Sequence, residues 1–502
     1  FQQAGLYFEC MKAPHETVYN LPMCWTLPTH LEPEKVCDTF LKVVRCHPAL
    51  NSHFEMREGT VMLVPCEKDP EVGLATLPEE DLPGYKAHFL EPFNLSEGPL
   101  FRAVVVKAGA GLYLLTDFHH LVFDGRSLDI FMTELCAAVD GVEPVPETYT
   151  YFDYAADQKA LEASEAYAAA ADFFRERMAG CEGASAILPD REKGDAAGMA
   201  ASLEFPVEGD IAARCLALGI SPASYFLGAA FLAVGAFSGN RKVYMCTVSN
   251  GRSDLRVSDT AGMFVNTLAL SGDTLADEVA PYLQETDRLF SESRSHEYYP
   301  FAKVSSDYGF QPQVMLAYQV GLLEAYRMGG TEITAEDLAT QTPMFPVSIF
   351  VNGGDAPESV LVQYDETLYS PALMQSFADT LRQLLRSLLG DGPLGRVALT
   401  GEAQEALLDS FNAYTLPVDT TQTIPSLFRA LSAARPEAPA VSFEDKVLTY
   451  KELDEVSDRI AAHIASLGLG REDVVSILIG RSEMMAVASL GALKAGCAYQ
   501  PL

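Results

Sequence analysis

LYLLTDFHHLVFDG occupies residues 112–125. It combines a strand pattern with two adjacent histidines, an aspartate and a glycine. Leu112–Phe118 is apolar and rich in residues that favour strands, and Gly125 indicates a turn where backbone or substrate can approach closely. Adjacent side chains of an extended segment point to opposite faces, so His119 and His120 cannot both face one cleft. A neutral imidazole accepts a proton at neutral pH, and Asp124 can brace the turn by pairing with an arginine.

Two other interpretations of this histidine pair stay open on spacing alone. Histidines at the end of a strand commonly pack against neighbouring residues without taking part in a reaction. A zinc site is disfavoured, because no third ligand lies at a suitable spacing nearby. We therefore predict no metal site.

Composition limits the class of protein. The chain has 502 residues, 48% of them hydrophobic, which predicts two or three compact units. Its net charge of −34 excludes nucleic-acid binding, which needs a concentrated basic face. No apolar run is long enough to span a membrane, and no signal-peptide pattern opens the chain. The ten cysteines show no CxxC spacing, which predicts reduced thiols and a cytoplasmic location.

Helical and strand patterns alternate along the chain, which predicts a mixed α/β fold. The predicted helices of the first part cover residues 33–47, 161–181, 221–237 and 371–389. The predicted strands cover residues 102–107, 112–118, 242–248, 313–320, 347–351 and 360–364. A Gly/Pro-punctuated linker with one short helix follows at residues 389–416. Beyond it we predict helices at 424–433, 451–467 and 484–494, and a strand at 473–479.

Six segments between residues 3 and 301 resemble, in order, the motifs of one enzyme family. HHLVFDG resembles the HHxxxDG motif of the chloramphenicol-acetyltransferase-like superfamily, whose peptide-synthetase branch is the condensation domain. The other five segments are Gln3 with Gly5 and Tyr7, Arg45–Leu50 with Phe54, Tyr151–Ala155, Gly262–Thr267 and His296–Phe301. They are similar to the family's opening motif, RHExLRTxF, YxDYA, GxFVNT and HQDYPFE.

This resemblance implies a fold and a division of the chain. We expect two chloramphenicol-acetyltransferase-like lobes arranged as a V-shaped pseudo-dimer, with a tunnel between them. The N-terminal lobe would cover residues 1–165 and the C-terminal lobe residues 166–395. A linker at 396–423 and a partial α/β adenylation subdomain at 424–502 would follow.

The resemblance also assigns roles to residues of the motifs. His120 matches the catalytic histidine, and His119 matches a supporting one. Asp124 matches a structural aspartate and Arg252 its arginine partner, while Gly125 lies where the family keeps a path open. Asn266 and Thr267 resemble the segment that crosses over the channel, where we expect an architectural role.

The C-terminal part resembles the start of an adenylation domain. Leu448–Leu453 is similar to LTYxEL, and Leu493–Tyr499 is similar to LKAGxAY. The family's phosphate-binding loop lies beyond these motifs, so we expect this fragment not to activate an amino acid. No Gly-Gly-x-Ser carrier signature occurs, so we expect no covalently attached phosphopantetheine.

The implied activity is amide bond formation between a donor acyl or peptidyl thioester and the α-amine of an acceptor aminoacyl thioester. Donor and acceptor peptidyl carrier proteins would present both substrates on phosphopantetheine, and the rest of the adenylation domain would be a further partner. The alternatives within the superfamily are an epimerisation domain and a catalytically silent domain that recruits a partner enzyme. Pro48 and Ser271 depart from the family motifs, which leaves the donor and acceptor subclass open.

Overall fold

The computed structural model describes residues 2–181, 185–192, 198–321, 325–338 and 343–502. The chain forms two compact units, Phe1–Glu405 and Ala406–Leu502. The mixed α/β class predicted from the sequence is confirmed in both.

The first unit contains helices and strands in an irregular alternation. Its helices are α1 (Gln2–Lys12), α2 (Pro33–Cys46), α3 (Leu82–Phe89), α4 (Gly125–Val139), α5 (Tyr151–Leu161), α6 (Glu165–Arg177), α7 (Ile211–Leu218), α8 (Pro222–Ser238), α9 (Val279–Ser295), α10 (Phe301–Tyr308) and α11 (Pro371–Ser387). Helix α12 (Glu402–Asn412) begins in this unit and continues beyond its end at Glu405. Its strands are β1 (Asn20–Leu27), β2 (Ser52–Arg57), β3 (Thr60–Pro65), β4 (Gly73–Leu77), β5 (Phe101–Ala108), β6 (Gly111–His119), β7 (Ala200–Pro206), β8 (Lys242–Ser249), β9 (Asn266–Asp273), β10 (Val314–Val320), β11 (Arg327–Met328), β12 (Thr331–Glu332), β13 (Thr334–Asp337), β14 (Val347–Gly353) and β15 (Ser359–Asp365).

One sheet forms the centre of the N-terminal lobe, with strand order β13-β1-β6-β5-β4. Strand β6 lies in the middle and pairs antiparallel with β1 and β5, and every side chain from Leu114 to His119 is buried, so both of its faces are covered. This position explains its nearly continuous apolar sequence. Helices α2 and α4 pack against the sheet through residues such as Phe40 and Phe131, whose ring centroids lie 4.9 Å apart. The sequence LYLLTDFHH therefore ends at the edge of a fully packed core.

The second sheet has the order β7-β15-β14-β10-β8-β9 and forms the centre of the C-terminal lobe. Strands β8, β10 and β14 run parallel, and the outer pairs are antiparallel. Helix α8 packs against this sheet and is buried almost all round, as its uniformly apolar sequence predicts. Ser221 caps its first turn, and Gly239 ends it in the left-handed conformation. The two-lobed architecture predicted from the resemblance is confirmed.

A crossover links the two lobes. Strand β13 follows β10 of the second sheet along the chain, yet it pairs with β1 of the first sheet, Trp25 opposite Ala335. Tyr326, Met328 and Ile333 belong to the same hydrophobic core as Phe40. A segment within residues 166–395 thus completes the N-terminal lobe.

The predicted helix at residues 161–181 is wrong at its start. Helix α5 ends at Leu161, and a new helix, α6, begins at Glu165. Ser164 separates the two, because its hydroxyl accepts a hydrogen bond from the Tyr167 amide at 3.2 Å and caps α6. The other predicted helices and strands of this unit are confirmed within about three residues at each end, as expected for boundaries read from sequence.

The second unit is a small α/β arrangement. Its helices are α13 (Ile424–Ala434), α14 (Tyr450–Ser466) and α15 (Met484–Lys494), and its strands are β16 (Pro439–Phe443), β17 (Lys446–Thr449), β18 (Val474–Ile477) and β19 (Ala498–Pro501). The predicted elements of this part and the short helix of the linker are confirmed. At the start of α14, the N-cap residue Thr449 and Glu452 form a capping box, which the LTYxEL pattern encodes.

No single helix among the described residues is both long and apolar enough to cross a membrane. The sharply bent pair α7 and α8 passes that test by length and composition, but α8 forms part of the C-terminal core.

Candidate active site

The two histidines at the end of β6 occupy different environments. His119 is 5% exposed, and its Nδ1 accepts a hydrogen bond from the Leu121 amide at 3.1 Å. Burial, with further contributions from His120 and Arg102, lowers the pKa of His119 to about 3, so this ring is neutral. It therefore serves as a hydrogen-bonding group and cannot become a cation near neutral pH.

His120 is half-buried and is held mainly through its backbone. Its amide donates a hydrogen bond to the Tyr19 carbonyl at 2.8 Å. Its ring makes no hydrogen bond to any residue that the structure describes, and its Nδ1 is buried without a partner. Such an imidazole can accept a proton from a bound ligand or donate one to it.

Asp124 joins the turn after His120 to the C-terminal lobe through both carboxylate oxygens. Its Oδ1 caps helix α4 by accepting from the Ser127 amide at 2.7 Å, and it lies 3.2 Å from Nη2 of Arg252. Its Oδ2 accepts from the backbone amides of Phe264 at 2.9 Å and Val265 at 3.3 Å. The carboxylate is fully buried, so these charge-assisted bonds form in a region of low dielectric.

Arg252 organises the loop from Asn250 to Val265 that faces the turn. Besides Asp124, it donates through Nη1 to the carbonyls of Val257 at 2.6 Å and Thr260 at 2.7 Å. Its guanidinium lies 4.2 Å from the centre of the Phe264 ring. One side chain thus fixes three points of the loop, which a lysine could not do with a single ammonium group.

Two glycines of this loop allow its close approach to neighbouring backbone and side chains. Gly251 has φ +63°, and a Cβ there would lie 1.9 Å from the Phe264 carbonyl oxygen. A Cβ at Gly262 would lie 2.1 Å from the ring of Tyr151, whose hydroxyl donates to the Met263 carbonyl at 2.8 Å. Gly262 and Tyr151, which belong to different sequence motifs, therefore contact each other directly.

A buried cluster of one histidine and two glutamates also contacts this loop. His47 is fully buried, with Nδ1 2.6 Å from Glu147 Oε1 and Nε2 3.0 Å from Glu134 Oε2. Glu147 Oε1 also accepts from the Ala261 amide at 2.7 Å, which ties the cluster to the loop. Burial alone would lower the pKa of His47, but the bonds to both glutamates raise it to about 9.

Three predicted site residues remain: Asn266, Thr267 and Gly125. The first two lie in β9, and the third has no side chain. Asn266 begins β9 and donates through Nδ2 to the Glu297 carbonyl, while Thr267 pairs with Val248 in the adjacent ladder. Gly125 is exposed, and a Cβ there would meet nothing within 4 Å. Its backbone does not require glycine, so the effect of this residue is to leave the space beside the site open.

Sequence reasoning missed Ser127 and Glu147. Ser127 Oγ lies 2.8 Å from Asp124 Oδ1 and accepts from the Gly262 amide at 2.9 Å, so it also joins the lobes. Aspartate is a favoured N-cap residue that binds the amide three residues further on, and this rule could have pointed to Ser127. No local signal marks Glu147, because its partner His47 lies 100 residues away in sequence.

Comparison with known families gives two matches. The condensation-domain family model matches residues 1–408, and the model of AMP-binding enzymes matches residues 428–502. Surfactin synthase subunit 1 of Bacillus subtilis is 27% identical over 509 aligned residues, which include 97% of this chain and 14% of that protein. This chain therefore spans only a small part of the length of such a relative.

Solved structures share the fold. A non-ribosomal peptide synthetase, FmoA3, superposes with a TM-score of 0.71 at 18% identity, over 100% of this chain and 54% of that one. The X-domain from teicoplanin biosynthesis, solved in complex with OxyB, gives a TM-score of 0.70 at 18% identity, over 80% of this chain and 96% of that one. At these identities the likeness concerns the fold alone.

Replacing Gly251 should destabilise the first unit more than replacing a glycine of similar conformation. Gly251→Ala has both the left-handed backbone penalty and a clash with the Phe264 carbonyl, whereas Gly219→Ala, with φ +68° and no atom near its Cβ, has only the first. We expect Gly219→Ala to cost about 1–2 kcal/mol and Gly251→Ala clearly more. Thermal unfolding of both variants measures this difference, and equal losses would contradict the close contact.

The His47 cluster should make stability depend on pH in the alkaline range. Because the pKa of His47 is raised from its ordinary 6.5 to about 9, the stability it contributes is complete below pH 6.5 and is lost as pH rises through 9. The melting temperature of the wild type should therefore fall more between pH 6.5 and 9.5 than that of His47→Gln. His88→Gln, at an exposed position, is the matched control and should follow the wild type. Parallel pH profiles of wild type and His47→Gln would refute this assignment.

Proposed function

The chain belongs to the condensation-domain family, and from this we propose that it joins two carrier-bound substrates through an amide bond. The donor is an acyl or peptidyl thioester, and the acceptor is an aminoacyl thioester with a free α-amine. The observation that carries this proposal is the His120 ring, which is half-buried and makes no hydrogen bond to any described residue.

In the proposed reaction, the acceptor amine attacks the donor thioester carbonyl. A C–N bond forms, the C–S bond breaks, and the donor carrier's phosphopantetheine thiol leaves. An α-amine has an ordinary pKa of about 7.7–8.0, so an appreciable fraction is already nucleophilic near neutral pH. His120 positions the amine, removes its proton as the tetrahedral intermediate forms, and returns a proton to the departing sulfur.

We assign the other site residues supporting roles in this reaction. His119 is a neutral neighbour whose ring orients the end of β6. Asp124 and Arg252 hold the turn against the opposite lobe, so that His120 keeps its place while two tethered substrates align. Alignment of this kind contributes as much as proton transfer does in many enzymes. Asn266 and Thr267 stabilise the crossing segment.

The partners follow from this reaction. Donor and acceptor peptidyl carrier proteins would deliver the substrates on phosphopantetheine, which we propose is not attached to this chain itself. Residues 428–502 would act together with the rest of an adenylation domain and do no activation chemistry alone. The ten cysteines are all free, and nine of them are buried, which supports a reducing, cytoplasmic setting.

Removal of the His120 ring should abolish most of the activity. We expect His120→Ala to lower the rate of peptide formation by about 10²–10⁴-fold, the range for loss of a general base. The assay uses carriers loaded with a panel of aminoacyl and fatty-acyl donors plus an aminoacyl acceptor, and intact-protein mass spectrometry detects the mass gain on the acceptor carrier. His88→Ala, at an exposed position of the same lobe, is the control.

A rate for His120→Ala within threefold of the wild type would contradict the base role. Exchange of the substrate α-proton without a mass gain would indicate epimerisation instead. A stable carrier complex without either reaction would indicate a silent, partner-recruiting domain.

Filling the open space at Gly125 should block catalysis without disturbing the fold. Gly125→Leu places a side chain where no atom lies within 4 Å of the Cβ, beside the path that a pantetheine arm would take to His120. We expect at least a tenfold loss of peptide formation with a melting temperature within a few degrees of the wild type. Gly84→Leu, whose Cβ also meets nothing within 4 Å, is the matched control and should keep full activity. Full activity of Gly125→Leu would place the path elsewhere.

A further inference from the structure

A two-stranded hairpin of the first unit, formed by β2 and β3, brings a cysteine, a histidine and a glutamate together. His53 and Glu55 are two residues apart in β2, so their side chains lie on the same face of the strand. Cys66 follows the end of β3, and its amide donates to the Asn51 carbonyl at 2.9 Å. This backbone bond keeps the cysteine beside the start of β2, within reach of His53.

The three side chains form a short series of hydrogen bonds. The Sγ atom of Cys66 lies 3.7 Å from Nδ1 of His53, within hydrogen-bond range for sulfur. Nε2 of His53 lies 2.9 Å from Oε1 of Glu55. The other carboxylate oxygen of Glu55 accepts from Nε of Arg57 at 2.7 Å. A nucleophile, a base and a group that orients the base are thus adjacent, which is the arrangement of an activated nucleophile.

The charge of Glu55 determines which nitrogen of His53 carries the proton. Hydrogen bonds from His53 and Arg57 lower the pKa of Glu55, so its carboxylate is ionised near neutral pH and can only accept. His53 therefore donates through Nε2, and Nδ1 of the neutral ring carries no proton. Nδ1 can accept the proton of the Cys66 thiol, and Glu55 then stabilises the imidazolium that results.

Cys66 differs from the other nine cysteines of the chain in its access to solvent. It is partly exposed, whereas those nine are buried. Burial raises the pKa of the Cys66 thiol, so the thiol keeps its proton in the resting state. The proton must leave as the sulfur attacks an electrophile, and the adjacent His53 ring can accept it. The second acceptor near the sulfur, the Glu97 carbonyl at 3.8 Å, is too weak a base to do so.

We propose that Cys66 is a modification site that undergoes thiol–disulfide exchange with small uncharged disulfides, with His53 as the base and Glu55 as the residue that positions it. Sγ attacks one sulfur of the disulfide, the S–S bond breaks, and a mixed disulfide forms on Cys66. The released half leaves as a thiolate and takes up the proton held by His53. The net charge of −34 disfavours anionic disulfides. The reaction is independent of the proposed amide synthesis.

The rate of mixed-disulfide formation tests this assignment. The full chain, without reducing agent, is treated with hydroxyethyl disulfide, and intact-protein mass spectrometry with peptide mapping follows the first modification. We expect Cys66 to react first, and Cys66→Ser to remove this fast reaction. His53→Gln should lower the rate about tenfold or more, because glutamine cannot take up the thiol proton. Glu55→Gln should lower it about threefold or more, because an amide stabilises the imidazolium less than a carboxylate does.

Two controls separate a base from a residue that only maintains the structure. Free imidazole should restore much of the rate lost in His53→Ala and leave the wild-type rate unchanged, because it supplies the missing base. His88→Gln, at an exposed position of the same lobe, should react like the wild type. Melting temperatures show whether each variant is folded. If the His53 variants unfold, Glu55→Gln, at a partly exposed position, decides the test.

Equal rates for the wild type, His53→Gln and Glu55→Gln would overturn this assignment, as would a first modification at another cysteine. A folded His53→Ala variant that imidazole does not restore would contradict the base role. Failure of peptide formation in the carrier assay would leave these rates unaffected, because Cys66 and His53 take no part in the proposed amide synthesis.

Discussion

The carboxylate of Asp124 is the interaction on which the arrangement of this molecule depends. It is fully buried, and its two oxygens serve different partners: one caps α4 and meets Arg252, while the other binds the backbone of the loop at Phe264 and Val265. Removing one partner of such a buried charge leaves the other uncompensated, which is a large penalty in a region of low dielectric. The turn after His120 and the loop of the opposite lobe are therefore fixed together.

This constraint explains why the ring of His120, the proposed general base, can remain without a hydrogen bond to any described residue. His120 is positioned by its backbone bond to Tyr19 and by the rigid turn that follows it. Because neighbouring residues supply the rigidity, the ring needs no hydrogen bond of its own to keep its place, which is the preorganisation that the proposed base role requires. The buried His47–Glu147 pair adds a second support on the far side of the same loop through the Ala261 amide.

Much of the fold could be predicted from sequence because its signals are local. The apolar run of β6, the all-apolar helix α8 and the capping patterns at Thr449 and Ser221 act within a few residues. The helix break at Ser164 was missed because the alanine-rich sequence around it favours helix throughout. The candidate site was predictable where residues are adjacent, as at His119 to Gly125. It was not predictable where 100 residues separate His47 from Glu147, since nothing local relates them.

The crossover strand β13 has a consequence for how such chains can recombine. Its four exposed residues complete the edge of the N-terminal sheet, although they come after most of the C-terminal sheet along the chain. An exchange of gene segments with a junction between α5 and α6 would pair one parent's β1 with the other parent's β13, and would pack Trp25 against a foreign Tyr326, now 5.7 Å from it. A junction outside residues 1–405 instead takes both β1 and β13 from one parent and keeps this pairing as it is.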